Sequence, residues 1–354
     1  MKQKVYLHIG TPKTGTSAIQ NFLVHNIELL NSCNLYYPAH AMDINGISSG
    51  NGAYLIHLLN SNKLDEAKVL LNKFLKNAKG KDIVLSSENF YRYPEEVKKL
   101  IPEAIIIVYI REQSEQIRAD YNQSVKRHKQ VNFFDKAIEA AFRRKDMFFD
   151  FGLLEKWENC YGKDNLIVKI YDKREFFKSS LIYDFLNIFR CSKYDIEDRD
   201  KKINISYIED ALRFKIWFNK LVLQINDDDI NLFDKKIDYI LQKYSQELYD
   251  KGLYTKYGYS IFQLKKIEDF YKNSNEKIRL KYFPNRDKLF QVSNITTTKY
   301  KGLTRDKVVE IGLYIKKENK ELFHKLCFYI KMLEKESKGN NKIVSKLKPL
   351  LESL

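Results

Sequence analysis

Three short stretches of the chain hold residues whose type and spacing suit work on anions. VYLHIGTPKTGTSAIQNFL, Val5 to Leu23, sets Lys13 between Gly10 and Gly15 and continues with Thr16 and Ser17. SSENF, Ser86 to Phe90, contains Glu88, and AIIIVYIR, Ala104 to Arg111, ends on Arg111. In the first stretch Val5, Leu7 and Ile9 predict a short buried strand. From Thr16 the apolar spacing changes to that of a helix, through Ile19, Phe22, Leu23 and Leu30. A strand that runs through a Gly-flanked loop into a helix is a phosphate cradle. The first-turn N–H groups have no partner inside the helix, and the dipole there favours an anion.

The details separate this loop from a Walker A loop, GxxxxGK[ST], in which Lys directly follows the second Gly and reaches the β- and γ-phosphates. Gly10 and Gly15 have that spacing, but Thr16 occupies the Lys position and Ser17 follows. The loop's only Lys is Lys13, three positions nearer the strand. That arrangement suits a nucleotide with a single 5′-phosphate, with Lys13 beside the group in transit. Arg111, at the end of the most apolar strand, suits a second phosphate through charge-assisted, often bidentate hydrogen bonds.

The string PKTGTS, Pro12 to Ser17, resembles the 5′-phosphosulfate loop of sulfotransferases that use 3′-phosphoadenosine-5′-phosphosulfate (PAPS). DYNQSVK (Asp120 to Lys126), the stretch from Leu153 to Lys173, and Asn204 to Ser206 are similar to bacterial carbohydrate sulfotransferases. The resemblance covers about residues 1–200 and thins towards 290. It implies PAPS as donor, bound by Lys13, Thr14, Gly15, Thr16, Ser17, Arg111, Ser114 and Tyr121. The family holds the donor's 3′-phosphate with such an Arg and a Ser eight residues later. Here Ala119 stands at that position, and the lost hydroxyl contact to a charged group is worth about 1.5–3 kcal/mol. Ser114, Arg118 and Tyr121 are the nearby replacements. The family's use of a Glu base with a Lys on the leaving phosphate oxygen implies Glu88 and Lys13 as catalytic residues. His8 and His57 are rival bases and candidate contacts of the acceptor, which the resemblance implies is a carbohydrate or glycolipid hydroxyl.

These residues need a scaffold, and the hydrophobic pattern predicts one. Continuously apolar strands at Val5, Asn34–Pro38, from Asp82 to near Ser86, Ala104–Arg111 and Asn165–Lys173 alternate with helical stretches. That alternation predicts a P-loop-like three-layer α/β domain with a central parallel sheet over residues 1–200. One helix is expected over Leu55–Leu75, and the Gly-, Ser- and Asn-rich segment Ala39–Asn51 is expected as a loop near the site. Beyond about Arg199 no strand pattern remains. A helical part completing the catalytic domain is expected over 201–300, ending near Arg279–Phe290, with a basic helical tail over 301–354. The tail's stripe, Leu322, Leu326, Ile330 and Leu333, suits docking on its own domain or peripheral contact with an anionic membrane.

Composition narrows the class. At 354 residues, with 44% hydrophobic and 31% charged, the chain is an ordinary globular protein. A formal charge of +16 attracts anionic nucleotides and surfaces, but no nucleic-acid reading module is recognisable. MKQKVYLHIG lacks a signal peptide's apolar region, and no window is long enough to span a bilayer, so a cytoplasmic protein is expected. Cys33, Cys160, Cys191 and Cys327 form no CxxC pair, which argues for free thiols and against a disulfide framework or zinc site. Six scattered histidines argue against a catalytic metal. Two other classes are compatible with the loop: a P-loop phosphotransferase or nucleoside-triphosphate hydrolase, and a non-catalytic module that docks glycans or membranes.

Overall fold

The computed structural model describes residues 2–42, 48–143, 151–192, 206–291, 302–337 and 341–353. Five parallel strands form one sheet: β1 (Val5–His8), β2 (Leu35–Tyr36), β3 (Asp82–Ser86), β4 (Ile105–Ile110) and β5 (Leu166–Ile170). Their order is β2-β3-β1-β4-β5, so β1 is central, with β3 and β4 as its neighbours. His8 lies opposite Ser86 on one side and Ile107 on the other. The three strands that precede the predicted functional residues therefore end side by side. The α/β class and every predicted strand are present.

The helices in chain order are α1 (Thr16–His25), α2 (Ile27–Ser32), α3 (Ala53–Asn60), α4 (Leu64–Asn77), α5 (Pro94–Leu100), α6 (Gln113–Arg127), α7 (Phe134–Arg143), α8 (Phe151–Tyr161) and α9 (Leu181–Ile188). They continue with α10 (Glu209–Val222), α11 (Ile230–Asp250), α12 (Ile261–Tyr282), α13 (Arg305–Glu318), α14 (Lys320–Glu336) and α15 (Lys342–Leu347). The single helix expected over Leu55–Leu75 is two, α3 and α4. The chain turns between them at Asn62, whose φ of 57° belongs to the left-handed region that Asn tolerates better than most residues. The loop expected over Ala39–Asn51 lies outside the described residues at 43–47, as do the first two residues of the Asn204–Ser206 stretch.

Two compact units divide the chain: Met1–Gln116, Phe142–Ile203 and Glu268–Gln291 form the first, and Ile117–Ala141, Asn204–Ile267 and Val292–Leu354 the second. The division differs from cuts at 200 and 300, because it falls inside α6, α7 and α12. A hydrophobic pattern records each helix's apolar face but not where along it the neighbours change.

In the first unit both faces of the sheet are covered. Tyr6, Val84, Ile107 and Tyr109 pack with Ile19 and Leu23 of α1 and with Leu181, Phe185 and Leu186 of α9. The alternate strand residues Leu7, Ile83, Leu85, Ile106 and Val108 point the other way and are also buried. On that account the strands read as continuously apolar, as parallel strands do. The second unit is helical. Its buried Lys215 on α10 meets Asp234 and, at 2.6 Å, Asp238 of α11, so the buried cation is compensated by charge. The stripe Leu322, Leu326, Ile330 and Leu333 of α14 is buried within this unit. Its apolar surface is therefore covered by protein.

Two cysteines depart from expectation. Cys33, which ends α2, and Cys191, just past α9, form a disulfide with Cα atoms 5.8 Å apart, while Cys160 and Cys327 are free. The two lie 158 residues apart in sequence, and only the packing of α1, α2 and α9 on one sheet face brings them together. Spacing along the chain carries no sign of that. In the chain-entropy account, closing so long a loop stabilises the fold by about 5 kcal/mol. Thiol titration of the denatured, unreduced protein should find the two thiols of Cys160 and Cys327. Four reactive thiols would contradict the crosslink.

Candidate functional site

The loop between β1 and α1 is built around three left-handed residues: Gly10 (φ 36°), Lys13 (φ 69°) and Gly15 (φ 77°). Both glycines are obligatory on steric grounds. A Cβ on Gly15 would come within 2.3 Å of Leu181 Cδ2 and 2.8 Å of Tyr171 Cε2. One on Gly10 would come within 2.7 Å of Thr16 Oγ1. Lys13 takes the left-handed conformation with a side chain, at a cost of roughly 1–2 kcal/mol.

Three successive carbonyls hold that conformation in place. Thr14 Oγ1 donates to the Thr11 carbonyl at 2.6 Å, and Gln116 Nε2 to the Pro12 carbonyl at 2.7 Å. Arg111 Nη1 donates to the Lys13 carbonyl at 2.9 Å. Thr11 is itself fixed, because its hydroxyl donates to the Tyr109 carbonyl of β4 at 2.8 Å. A trans peptide is planar, with C=O and N–H pointing opposite ways. Tying the Pro12 and Lys13 carbonyls to Gln116 and Arg111 therefore turns the N–H groups of Lys13 and Thr14 away from those side chains.

The helix start adds further donors. The N–H groups of Ala18 and Ile19 are the first to join the α1 ladder, both onto the Gly15 carbonyl. Those of Thr16 and Ser17 lie ahead of it. Thr16 is buried, and its Oγ1 has no hydrogen-bond partner among the described residues. Ser17 is exposed. The result is a run of N–H groups at a helix N-terminus beside a half-buried Lys, an arrangement that suits an anion.

Arg111 sits at the side of this loop. Besides the Lys13 carbonyl it meets Glu115 at 3.3 Å, and its guanidinium lies 5.2 Å from the centre of the Tyr171 ring. An Arg carries five N–H donors in a rigid fork, so one group can brace the loop and still present others. Glu112 caps the start of α6, accepting from the N–H and hydroxyl of Ser114 and the N–H of Glu115. The Ser114 hydroxyl is thus held on a carboxylate.

Glu88 leaves the sheet next to the loop. Ser86 pairs with His8, the Ser87 N–H donates to the His8 carbonyl at 3.2 Å, and Glu88 opens a short 3₁₀ turn, Glu88–Arg92, half-buried. His8 faces inward: its Nδ1 is 2.9 Å from Ser86 Oγ, and its ring meets Tyr109 and Phe185 edge-on. Burial lowers its pKa to about 3. Gln20 Nε2 also donates to Ser86 Oγ, and Asn51 and the Gly52 N–H bind the Ser86 backbone, which pins the start of α3 to the end of β3. His57, on the exposed side of α3, stacks on Tyr54 at 5.8 Å.

The structure thus gathers Lys13, Thr14, Gly15, Thr16, Ser17 and Arg111 at one loop, with Glu88 on the neighbouring strand end. Tyr121 belongs to the second unit, where its hydroxyl donates to the Asn132 carbonyl and its ring packs on Phe134 and Tyr257. Arg118, in the same unit, donates to the Tyr257 carbonyl. Sequence reading missed Gln116, Tyr171 and Leu181. Their contacts to the loop cross about a hundred residues or more, and no local spacing marks them. Among the described residues no group of three His, Cys, Asp or Glu side chains is arranged to hold a metal, and no helix is long and apolar enough to cross a membrane.

No protein-family profile matches the chain. An uncharacterised protein of Archaeoglobus fulgidus is 24% identical over 183 residues, which span 50% of this chain and 45% of that protein. The chain therefore matches less than half the length of that relative. Among solved structures, it is similar to a sulfotransferase from Alicyclobacillus acidocaldarius, with 11% identity over 62% of this chain and 91% of that one. The TM-score is 0.37, a level at which the likeness carries no argument.

The burial of neutral His8 predicts a pH effect on stability. Its folded pKa is about 3 against 6.5 for the free side chain, so between those values the unfolded state binds the extra proton. Stability should fall as pH drops through that window, by at most about 1.4 kcal/mol per pH unit from this group. Denaturant titrations of the parent and His8→Gln across pH 7 to about 4 should show a shallower slope in the variant. Parallel slopes would remove His8 as the cause.

Proposed function

We propose that this protein transfers a sulfuryl group from PAPS to a hydroxyl of a carbohydrate or glycolipid acceptor. The observation that carries the reading is the Gly10–Gly15 loop itself. Its Lys lies at the left-handed apex, and Thr16, whose buried hydroxyl has no partner among the described residues, stands where a triphosphate-binding loop has Lys. A loop with that Lys after the second Gly reaches along a triphosphate; this one presents its donors to a single phosphate. Lys13, Thr14, Gly15, Thr16 and Ser17 are assigned to the donor's 5′-phosphosulfate. Arg111 is assigned to its 3′-phosphate, with Ser114 beside it as a further candidate in place of the hydroxyl lost at Ala119.

In the reaction, the acceptor oxygen attacks sulfur in line with the bond to the 5′-phosphate. A new O–S bond forms, the old S–O bond breaks, and its electron pair stays on the phosphate oxygen of adenosine 3′,5′-bisphosphate. Glu88 takes the acceptor's proton, and Lys13 with the loop N–H groups stabilises the charge arriving on the leaving phosphate. Donors already held in place need little rearrangement as that charge develops. His57, exposed on α3, is assigned to the acceptor side; His8, enclosed in the core, is the weaker candidate. The compartment proposed is the cytoplasm, with the basic surface available to the inner face of the membrane. Disulfides are rare there; of the Cys33–Cys191 pair, Cys191 is buried and Cys33 half-buried.

Incubation with radiolabelled PAPS and a panel of glycans and glycolipids tests the reading. The parent should label an acceptor. Lys13→Ala should lose activity on the order of 10²–10³-fold, and Glu88→Gln on the order of 10²–10⁴-fold. A Lys13→Ala enzyme that labels acceptor at the parent rate would remove the loop from the chemistry.

A further inference from the structure

Gln116 is a buried amide that satisfies only one of its ends. Its Nε2 donates to the Pro12 carbonyl at 2.7 Å, and its Oε1 has no hydrogen-bond partner among the described residues. The side chain is 0% exposed. Which end faces the loop is fixed by chemistry, because a carbonyl can be met only by the NH₂. An acceptor left bare in the interior is unfavourable, and an apolar side chain of the same length would avoid it. The donated half must therefore matter more than the half left unmade.

Its partner explains why. Pro12 has no N–H, so the only polar group it brings to the loop is the carbonyl that Gln116 holds. The same peptide plane carries the Lys13 N–H on its other side. Releasing the Pro12 carbonyl frees that plane to rotate, which would turn a negative dipole towards the anion and withdraw a donor from it. Arg111 makes the matching contact to the next carbonyl, five residues earlier on the same strand-to-helix connection. Arg111 is charged, so a bound phosphate competes with the loop carbonyl for its N–H groups. Gln116 is neutral and buried, so its hold on the loop does not change when an anion arrives.

We propose that Gln116 is a positioning residue for the donor's 5′-phosphate: it fixes the Pro12–Lys13 peptide so that the Lys13 N–H faces the bound anion. The proposal rests on the sulfuryl-transfer reading of the loop. It assigns Gln116 no contact with the donor, and its effect on binding runs through the peptide it holds.

Gln116→Leu and Gln116→Glu in the full chain separate this role from simple packing. Leu fills the space without a donor. Glu is nearly isosteric, lacks the donor when ionised, and regains an O–H donor when protonated, which burial moves to higher pH. Binding of adenosine 3′,5′-bisphosphate is measured by calorimetry from pH 8 to about 5, beside thermal melts of each protein. Gln116→Leu should bind about tenfold more weakly than the parent at every pH. Gln116→Glu should bind weakly at pH 8 and recover towards the parent as pH falls, a slope that Gln116→Leu lacks. If Gln116→Leu does not fold, the Gln116→Glu pH profile against the parent decides alone. Variants that bind as the parent does at every pH would overturn the proposal and leave the sulfuryl-transfer reading standing. A parent that binds no bisphosphate would overturn both.

Discussion

Three carbonyl oxygens in a row, those of Thr11, Pro12 and Lys13, each accept a hydrogen bond from a side chain, and the candidate site depends on that. A loop that binds an anion must point its N–H groups at the ligand and its carbonyls elsewhere. Left alone, Lys13 would not stay at φ 69°, since a side chain in that region costs roughly 1–2 kcal/mol. The bonds from Thr14, Gln116 and Arg111, each worth about 1 kcal/mol or more, offset that strain and set the direction of every peptide between them.

The rest of the first unit can be read outward from that constraint. Arg111 and Gln116 reach the loop because β4 lies beside β1 and passes into α6 at the right height. Gly15 can sit close to Leu181 and Tyr171 only because α9 is fixed against the sheet. Asp184 does the fixing: its buried carboxylate accepts from Tyr109 of β4 at 2.8 Å, meets Lys169 of β5 at 2.9 Å, and takes the Phe177 N–H at 3.0 Å. The Cys33–Cys191 bond closes the other end of the same layer. The loop is thus braced by the Thr14–Thr11 bond within it, by α6 on one side and by α9 behind it.

Much of this was legible in the sequence, and what was not has physical reasons. The strands announced themselves because parallel strands are apolar on both faces. The loop did so because a change from strand to helix periodicity between two glycines is a local signal. Arg111 could be singled out because a charge that follows six apolar residues must sit where the strand leaves the sheet. Gln116 and Asp184 gave no sign, since a side chain bonded to a distant backbone or across the sheet leaves no spacing to read. The break at Asn62 was hidden by apolar residues that keep helical phase across it. Cys33 and Cys191 looked unrelated because their partnership exists only once three helices share a face, and the tail's stripe could not reveal which surface would cover it.

Calorimetric titration with adenosine 3′,5′-bisphosphate, set against ATP with magnesium, is the measurement that bears most directly on this account. A loop built for one 5′-phosphate with a second phosphate held at Arg111 should bind the bisphosphate without any divalent ion and show little heat with magnesium ATP. Tight, magnesium-dependent ATP binding with no response to the bisphosphate would contradict the account and return the loop to the triphosphate-binding class.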